Sequence, residues 1–365
     1  MKIGMFTFHR ANNLGAVLQA SALQKYIENN FGDCEIVDYY PNNNIPVTYK
    51  GIKKVLRICK KIAIYPLTKK KREREYRFNE YRKKYYKLTK QHYYGDSWIE
   101  DELKEFDILI SGSDQILNTT LTGNSRAYYL DFFEGKKISY ASSFGRTNIT
   151  QNEIDLIKSE LPRYSAVSVR EKSAGEIIKR ICGVDSELVM DPVFLLKKEE
   201  WESRCNMDII LPERFIFVYS MENSENLERV VQLIKEEKNI PVIVVRGGGK
   251  SGRIIGREDV SCGPEEFLRY IKDSELVITN SFHGIAFSII MNKCFYAISH
   301  STRNARIENI LNLINKESKL ICHRVDESIN DYMINSEVVQ NKIEKYIINS
   351  KKYLEMAIGK EGENS

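Results

Sequence analysis

No apolar run in the 365 residues approaches the roughly 20 needed for a membrane-spanning helix. The opening stretch, Met1-Lys2-Ile3-Gly4-Met5-Phe6-Thr7-Phe8, lacks the long apolar core and small-residue cleavage site of a signal peptide, so a cytoplasmic protein is expected. Seven cysteines are scattered without a C-x-x-C pair: Cys34, Cys59, Cys182, Cys205, Cys262, Cys294 and Cys322. An odd, unpatterned set argues for reduced thiols, not for a disulfide framework or a zinc site. None of them stands out as a nucleophile, no metal cluster is evident, and metal independence is expected. The G-x-G-x-x-G fingerprint of dinucleotide binding is missing after the first strand. The cluster Arg246-Gly247-Gly248-Gly249-Lys250 tempts a phosphate-loop reading, but the first glycine of G-x-x-x-x-G-K-[ST] falls on Val244. It reads as a flexible loop. There is no internal repeat and no nucleic-acid-binding motif, so nucleic acid is not an expected partner.

What is present is an ordinary globular composition, 42% apolar, in a chain long enough for about two domains. Strand and helix patterns alternate. The strand Ile3 to Phe8, the helix Ala16 to Asn29 and the strand Cys34 to Tyr39 form a β-α-β unit, and the helix repeats apolar residues at Val17, Ala20, Leu23 and Ile27. Further buried strands are predicted at Phe106 to Ile110, Lys137 to Ala141, Ala166 to Val169, Phe215 to Tyr219, Val242 to Val245, Leu276 to Ile278 and Cys294 to Ile298. The spacing assigns residues 1–195 to a first domain, 196–212 to a hinge, 213–335 to a second domain and 336–365 to a helix and tail. That last helix is expected to pack across both domains.

One stretch breaks the rhythm. Residues 50–90 hold 17 Lys and Arg against three acidic residues, a net +14; the whole chain is +5, so the remainder carries −9. Tyrosines and aliphatic residues are interleaved with the charges. Two amphipathic helices broken at Pro66 are predicted, as an insertion spanning about 45–95. They form either a solvated excursion or a docking element for an anionic membrane surface or acceptor.

The candidate site residues lie just past strand ends, where open α/β sheets bind ligands. Thr279, Asn280 and Ser281 follow a short apolar strand and precede a helix-compatible run, which places His283 in a first helical turn. A histidine there can donate a proton or simply hydrogen-bond a bound anion. Gly15 opens the first helix beside Asn13; it either lets backbone approach a ligand or relieves crowding. Asp114 and Gln115 follow Ser111-Gly112-Ser113, and Asp114 reads equally as a base or as a helix cap. Arg170 ends another strand and suits a carboxylate or phosphate, or else pairs with Glu171 at the surface. Arg246 lies at the mouth of the second domain.

Five pieces in order, Asn13-Leu14-Gly15-Ala16-Val17-Leu18-Gln19-Ala20, Gly112-Ser113-Asp114-Gln115-Ile116-Leu117-Asn118, Ser168-Val169-Arg170-Glu171, Asp191-Pro192-Val193-Phe194-Leu195-Leu196 and Thr279-Asn280-Ser281-Phe282-His283-Gly284, resemble the polysaccharide pyruvyl transferase family. The resemblance covers nearly the whole chain apart from residues 45–95. It implies two Rossmann-like domains facing a cleft, as in GT-B glycosyltransferases. It also implies transfer of a pyruvyl group from phosphoenolpyruvate, a co-substrate and not a cofactor, to two hydroxyls of one sugar in a cell-envelope or exported polysaccharide precursor. The sugar acceptor is expected to be lipid-linked or otherwise activated, at the inner face of the membrane. By the same resemblance His283 matches the active-site histidine and Arg170 an arginine that holds the donor, with Asn280, Ser281 and Gly284 around it. Asp114 is a second catalytic candidate. Asn13, Gly15, Gln115 and Arg246 are cleft or acceptor candidates. Other members carry an arginine at the position of Ser281, a cationic contact that Arg246, Lys250, Arg303 or Arg306 would have to replace. Two other readings stand beside this one: a GT-B glycosyltransferase using a nucleotide sugar, and a non-catalytic adaptor in envelope-polymer assembly.

Overall fold

The computed structural model describes residues 1–41, 68–95, 103–248, 254–301, 304–324 and 329–359. The first part of the basic stretch, with its expected break at Pro66, and Lys250 and Arg303 lie outside the described residues. The first half runs β1 (Lys2–Phe6), α1 (Leu14–Asn30), β2 (Asp33–Tyr40), α2 (Lys69–Tyr85), β3 (Leu88–Tyr94), β4 (Ile108–Ser111), α3 (Thr119–Thr122), β5 (Lys136–Ser139), α4 (Gln151–Glu160), β6 (Ser168–Val169), α5 (Lys172–Cys182) and β7 (Glu187–Leu188). A short 3-10 turn, Pro192–Leu195, and α6 (Lys198–Glu202) lead to the second half. That half runs β8 (Ile216–Ser220), α7 (Glu225–Lys238), β9 (Val242–Arg246), β10 (Arg257–Glu258), α8 (Pro264–Asp273), β11 (Leu276–Thr279), α9 (Phe282–Ile290), β12 (Phe295–Ala297), α10 (Ala305–Leu313) and α11 (Ser336–Ile358).

Both halves are parallel sheets of the same order. The first is β3-β2-β1-β4-β5 and the second β10-β9-β8-β11-β12. In the first, Ile3 pairs with Cys34 on one side and Ile108 on the other. In the second, Leu276 pairs with Ile216. Bridges from Ile138 to Ala166 and from Ser142 to Val169 join the β6–β7 pair to the β5 edge. The strand order reverses between β1 and β4, and again between β8 and β11. Those reversals are the crevices where doubly wound sheets bind ligands, outside the carboxyl ends of the strands.

The two crevices face each other because the elements between them share one core. Helix α1 is apolar nearly all round, with Leu14, Val17, Leu18, Ala20 and Leu23 all fully buried, which suits a helix covered on every side. It packs against β2, the Pro192–Leu195 turn and α8. Within residues 196–212, expected as a hinge, Trp201, Arg204 and Cys205 are buried, while Met207 and Ile210 are exposed. The fully buried Trp201 sits edge-on to Phe287 at 4.9 Å, and its indole N–H donates to the Val193 carbonyl at 3.0 Å. Arg204 reaches Ser21 Oγ at 3.0 Å and the Tyr81 hydroxyl at 3.1 Å. Helix α11 also contacts the first half. The Ser350 hydroxyl oxygen accepts the Met190 N–H at 2.8 Å, and the Tyr353 hydroxyl donates to the Ser139 carbonyl at 2.7 Å.

Helix α2 differs from the solvated excursion that its charge suggested. Phe78 and Tyr81 are buried, and its arginines bond to the body. Arg82 donates to the carbonyls of His9 at 2.8 Å, Arg10 at 3.0 Å and Ala11 at 2.8 Å. Arg77 donates to the Ser261 carbonyl at 3.3 Å, and Lys84 pairs with Glu265 at 3.0 Å. The basic face is in part a strut that joins the β1–α1 loop to the second half. No helix of the described residues is long and apolar enough to cross a membrane.

Candidate active site

The link between β11 and α9 is built by short polar side chains. Thr279 Oγ1 donates to the Tyr219 carbonyl at 2.7 Å and accepts the Ser281 N–H at 3.0 Å. Asn280 holds the neighbouring loop on both sides, accepting the Met221 N–H and donating to the Glu222 carbonyl, each at 2.7 Å. A Cβ on Gly284 would lie 2.3 Å from Thr279 Oγ1, so this turn closes only on glycine. Asn280 and Gly284 thus shape the loop, while Ser281 stands at the N-cap position of α9 without a side-chain capping bond and faces a small cavity.

His283 falls in the first turn of α9, as its sequence context predicted, and only 7% of it is exposed. Its ring lies against Gly15, where an added Cβ would come within 2.0 Å of Nδ1. The close approach that Gly15 permits in this structure is therefore to the histidine of the opposite half. The other ring nitrogen, Nε2, is buried without a hydrogen-bond partner, 3.7 Å from Asp191 Oδ2.

Beneath the histidine lies a buried charge cluster. Arg170 is 2% exposed, and it pairs with Asp191 and Asp114, so the expected surface pair with Glu171 does not form. Nη1 donates to Asp191 Oδ2 at 2.5 Å and Nη2 to Asp114 Oδ1 at 3.2 Å, while the Phe282 ring lies 5.3 Å from the guanidinium carbon. Glu171 instead accepts from the Ser143 hydroxyl at 2.6 Å. Asp114 sits at φ +77°, a conformation costly for a side-chain-bearing residue. Arg306 of α10 approaches its carboxylate at 3.8 Å. Burial by itself would raise the Asp114 carboxyl; the Arg170 and Arg306 charges outweigh it and hold the group below its ordinary value. Asp191 is also held below its ordinary value: burial opposes, but the His283 ring 3.7 Å away and the Arg170 charge prevail. Arg306 moves the other way, down to about 10, because of burial first and repulsion from Arg170 second. An ionised carboxylate fixed between two guanidiniums accepts a hydrogen bond well and holds a proton poorly. This disfavours the base role considered for Asp114.

Two cavities open onto this cluster. The smaller, about 70 Å³, is lined by Asn13, Asp114, Gln115, Ser281, His283 and Arg306, among others. The wider, about 310 Å³, shares Asn13, Asp114 and Gln115 and extends to Phe8, Arg10 and Tyr128. Asn13 caps α1 by accepting the Ala16 N–H at 3.0 Å and lines both. Arg170 lies below the small cavity without lining it, and Arg246 lies outside both, pairing with Glu258 at 3.3 Å. Sequence reasoning did not single out Asp191, which ties Arg170 to the floor under His283. It also caps the 3-10 turn by accepting the Val193 N–H at 3.1 Å. An acidic residue between an apolar strand and a proline was the available signal.

Comparison with known proteins follows this geometry. A model of the family described as polysaccharide pyruvyl transferase matches residues 13–302. No curated protein matches the chain. A candidate UDP-N-acetylglucosamine 2-epimerase from Listeria monocytogenes superposes with a TM-score of 0.51 at 12% identity, covering 98% of this chain and 90% of that one. The Methanocaldococcus jannaschii UDP-GlcNAc 2-epimerase in complex with UDP-GlcNAc and UDP gives 0.48 at 14% identity, over 95% and 93%. The Escherichia coli ADP-heptose lipopolysaccharide heptosyltransferase II gives 0.39 at 11%, over 96% and 100%. At such identities the likeness concerns the fold, which is GT-B-like. The family match spans well over half of the residues and contains the His283 turn, Asp114 and Arg170, so this chain belongs to the polysaccharide pyruvyl transferase family.

Proposed function

We propose that the small cavity binds phosphoenolpyruvate and that the protein transfers its pyruvyl group to two hydroxyls of one sugar, as a cyclic ketal with release of phosphate. The observation that carries this reading is the convergence, in one small polar chamber, of an imidazole nitrogen without a partner, the partly buried Arg306 guanidinium and the N-terminus of α9. Arg306 is desolvated and shares its nearest carboxylate, Asp114, with Arg170. An anionic donor would supply the compensation that it lacks. Arg246 and Arg306 are the two described candidates to replace the arginine absent at Ser281, and Arg306 is the one whose side chain lines the chamber. A volume of about 70 Å³ equals about two waters at ~30 Å³ each, enough for one phosphate- or carboxylate-sized group. The rest of the donor would then extend to the junction with the wider cavity.

In this reading His283 protonates the methylene carbon of the enol phosphate, which makes the central carbon electrophilic. One sugar hydroxyl adds there, phosphate leaves and a second hydroxyl closes the ketal. Of the two hydroxyl protons, one restores His283 and the other departs with phosphate. Asp114 orients a hydroxyl by accepting its hydrogen bond, and Arg306 with the α9 terminus holds the anion. Incubation with phosphoenolpyruvate and lipid-linked or nucleotide-linked sugars, read by mass spectrometry, tests the reaction. A gain of one pyruvyl ketal on the sugar is expected; transfer of a glycosyl unit from the nucleotide sugar instead would favour the glycosyltransferase reading. A cytoplasmic location with peripheral contact at an anionic membrane surface belongs to the same proposal. It is supported by the exposed Lys69, Lys70, Lys71 and Tyr76 of α2. Salt-sensitive sedimentation with acidic but not neutral vesicles would support it, and equal binding to both would remove it.

A further inference from the structure

We propose that His300, oriented by Glu222, is the second proton-transfer residue of the small chamber. It takes the proton of the first sugar hydroxyl and hands it to the departing phosphate. The inference rests on the reaction proposed above, which needs an acceptor for that proton. The described residues that line the chamber leave few candidates. Asp114 is an ionised carboxylate that holds a proton poorly, and Arg306 is a cation. Burial pushes the Tyr219 phenol above its ordinary value, so it does not ionise readily enough to serve as a base. His283 is occupied with the methylene carbon. In the wider cavity, both ring nitrogens of His9 are taken, Nδ1 lying 3.1 Å from the Thr7 carbonyl and Nε2 3.0 Å from Asp38. The remaining titratable side chain on the small chamber is the His300 imidazole, a group suited to proton transfer near neutral pH.

The topology brings this imidazole to the same place as His283. In the second sheet β11 lies between β8 and β12. Ser281 and His283 follow the end of β11, Glu222 the end of β8 and His300 the end of β12, so they stand at adjacent strand ends. The His300 side chain is 10% exposed, and its Nδ1 lies 3.4 Å from Glu222 Oε1. Glu222 is itself fixed. Its carbonyl accepts from the Ser220 hydroxyl and the Asn280 amide, each at 2.7 Å. Its carboxylate accepts the Ser301 N–H and, at 2.7 Å, the Ser301 hydroxyl. The His300 N–H donates to Asn304 Oδ1 at 2.6 Å, which holds the loop from its other side. Asp114, His283 and Arg306 share the chamber with this pair. A carboxylate at Nδ1 favours the tautomer that carries its proton there, leaves the lone pair on Nε2, and stabilises the imidazolium once it forms. As His283 protonates the methylene carbon, the first hydroxyl oxygen bonds to the central carbon and its proton passes to His300 Nε2. His300 then gives that proton to the bridging oxygen, the bond from this oxygen to the central carbon breaks, and phosphate leaves. The second hydroxyl closes the ketal, and its proton restores His283.

The test is phosphate release from phosphoenolpyruvate by the full chain, with UDP-glucose, UDP-galactose, UDP-N-acetylglucosamine and GDP-mannose as probe acceptors, for the unmutated protein, His300→Gln and Glu222→Gln. At least one probe should turn over in the unmutated protein. His300→Gln should lower kcat by about a hundredfold or more, while phosphoenolpyruvate affinity, read by isothermal titration, stays within threefold. The acidic limb of the kcat profile, which reports the base, should vanish in this variant. Glu222 is a positioning residue. Glu222→Gln should lower kcat at least tenfold and move the acidic limb to lower pH, because loss of a carboxylate disfavours the imidazolium; a merely structural glutamate would leave the limb in place. Near-normal kcat in His300→Gln would overturn the proposal. So would a tenfold loss of phosphoenolpyruvate affinity at unchanged kcat, which would make His300 a donor contact. If circular dichroism shows His300→Gln unfolded, an unmoved acidic limb in Glu222→Gln overturns it instead. Absence of turnover with every probe in the unmutated protein would remove the reaction and the proton role together, whereas turnover that survives His300→Gln removes the proton role alone.

Discussion

The ring of His283 and the backbone of Gly15 occupy space that a single methyl group would destroy. In Gly15→Ala the new Cβ would meet Nδ1 at 2.0 Å, so either the helix or the ring must move. Overpacking of this kind costs about 1–3 kcal/mol. The variant should therefore fold with a lowered melting temperature and lose most of its turnover, measured by scanning calorimetry and phosphate release. Normal turnover would mean that the ring position is not critical. A second residue-scale prediction concerns Asp38. Burial opposes its ionisation, but hydrogen bonds from His9 and Arg10 bring its carboxyl down to about 2 from 3.8. A folded-state value below the unfolded one stabilises the fold above the unfolded value, and the contribution is lost as pH falls through the folded value. The unmutated protein should hold this stabilisation above about pH 3.8 and lose it toward about pH 2. Melting curves of Asp38→Asn should lie below it at neutral pH and converge with it across that window. At this scale His283, Asp114, Gln115 and Asn13 were legible, because each follows a strand end in sequence. Asp191, Arg10 and the contact between Gly15 and His283 were not, since partners up to 268 positions apart meet only through the fold.

The central strands were legible as apolar runs, because β4, β8, β9 and β11 are buried along nearly their whole length. Two other elements were not. Strand β3 is an edge strand with Lys90, Gln91 and His92 at its exposed centre, and it disappears into the basic stretch that precedes it. Helix α5 carries Ala174, Ile177 and Ile178 at helical spacing, a signal present in the sequence but short. Helix α2 was legible as a helix, but its hold on the body was not, for composition cannot say whether an arginine faces water or a carbonyl. Its role predicts that Arg82→Ala frees the β1–α1 loop. Charge-assisted hydrogen bonds contribute about 1.5–3 kcal/mol each. Amide hydrogen exchange at residues 9–12 should accelerate at least tenfold in the variant, with little change in α7. Uniform acceleration would show a general loss of stability, and no change would show that the loop is held by other contacts.

At the scale of the whole molecule, two similar parallel sheets present their strand-order reversals to each other, and a shared core keeps them in register. α1, Trp201, α2 and α11 each contribute packing or hydrogen bonds between the halves. The small chamber and the wider cavity meet at Asn13, Asp114 and Gln115. The most direct measurement is isothermal titration of phosphoenolpyruvate and of UDP-N-acetylglucosamine into the unmutated protein, Arg306→Gln and His283→Gln. Loss of a charged hydrogen bond worth about 1.5–3 kcal/mol corresponds to at least tenfold in affinity. Phosphoenolpyruvate should bind the unmutated protein at one site, at least tenfold more weakly to Arg306→Gln and within a few-fold to His283→Gln, whose loss should appear in turnover instead. Binding of the nucleotide sugar with no binding of phosphoenolpyruvate, or equal phosphoenolpyruvate affinity with and without the Arg306 charge, would contradict it.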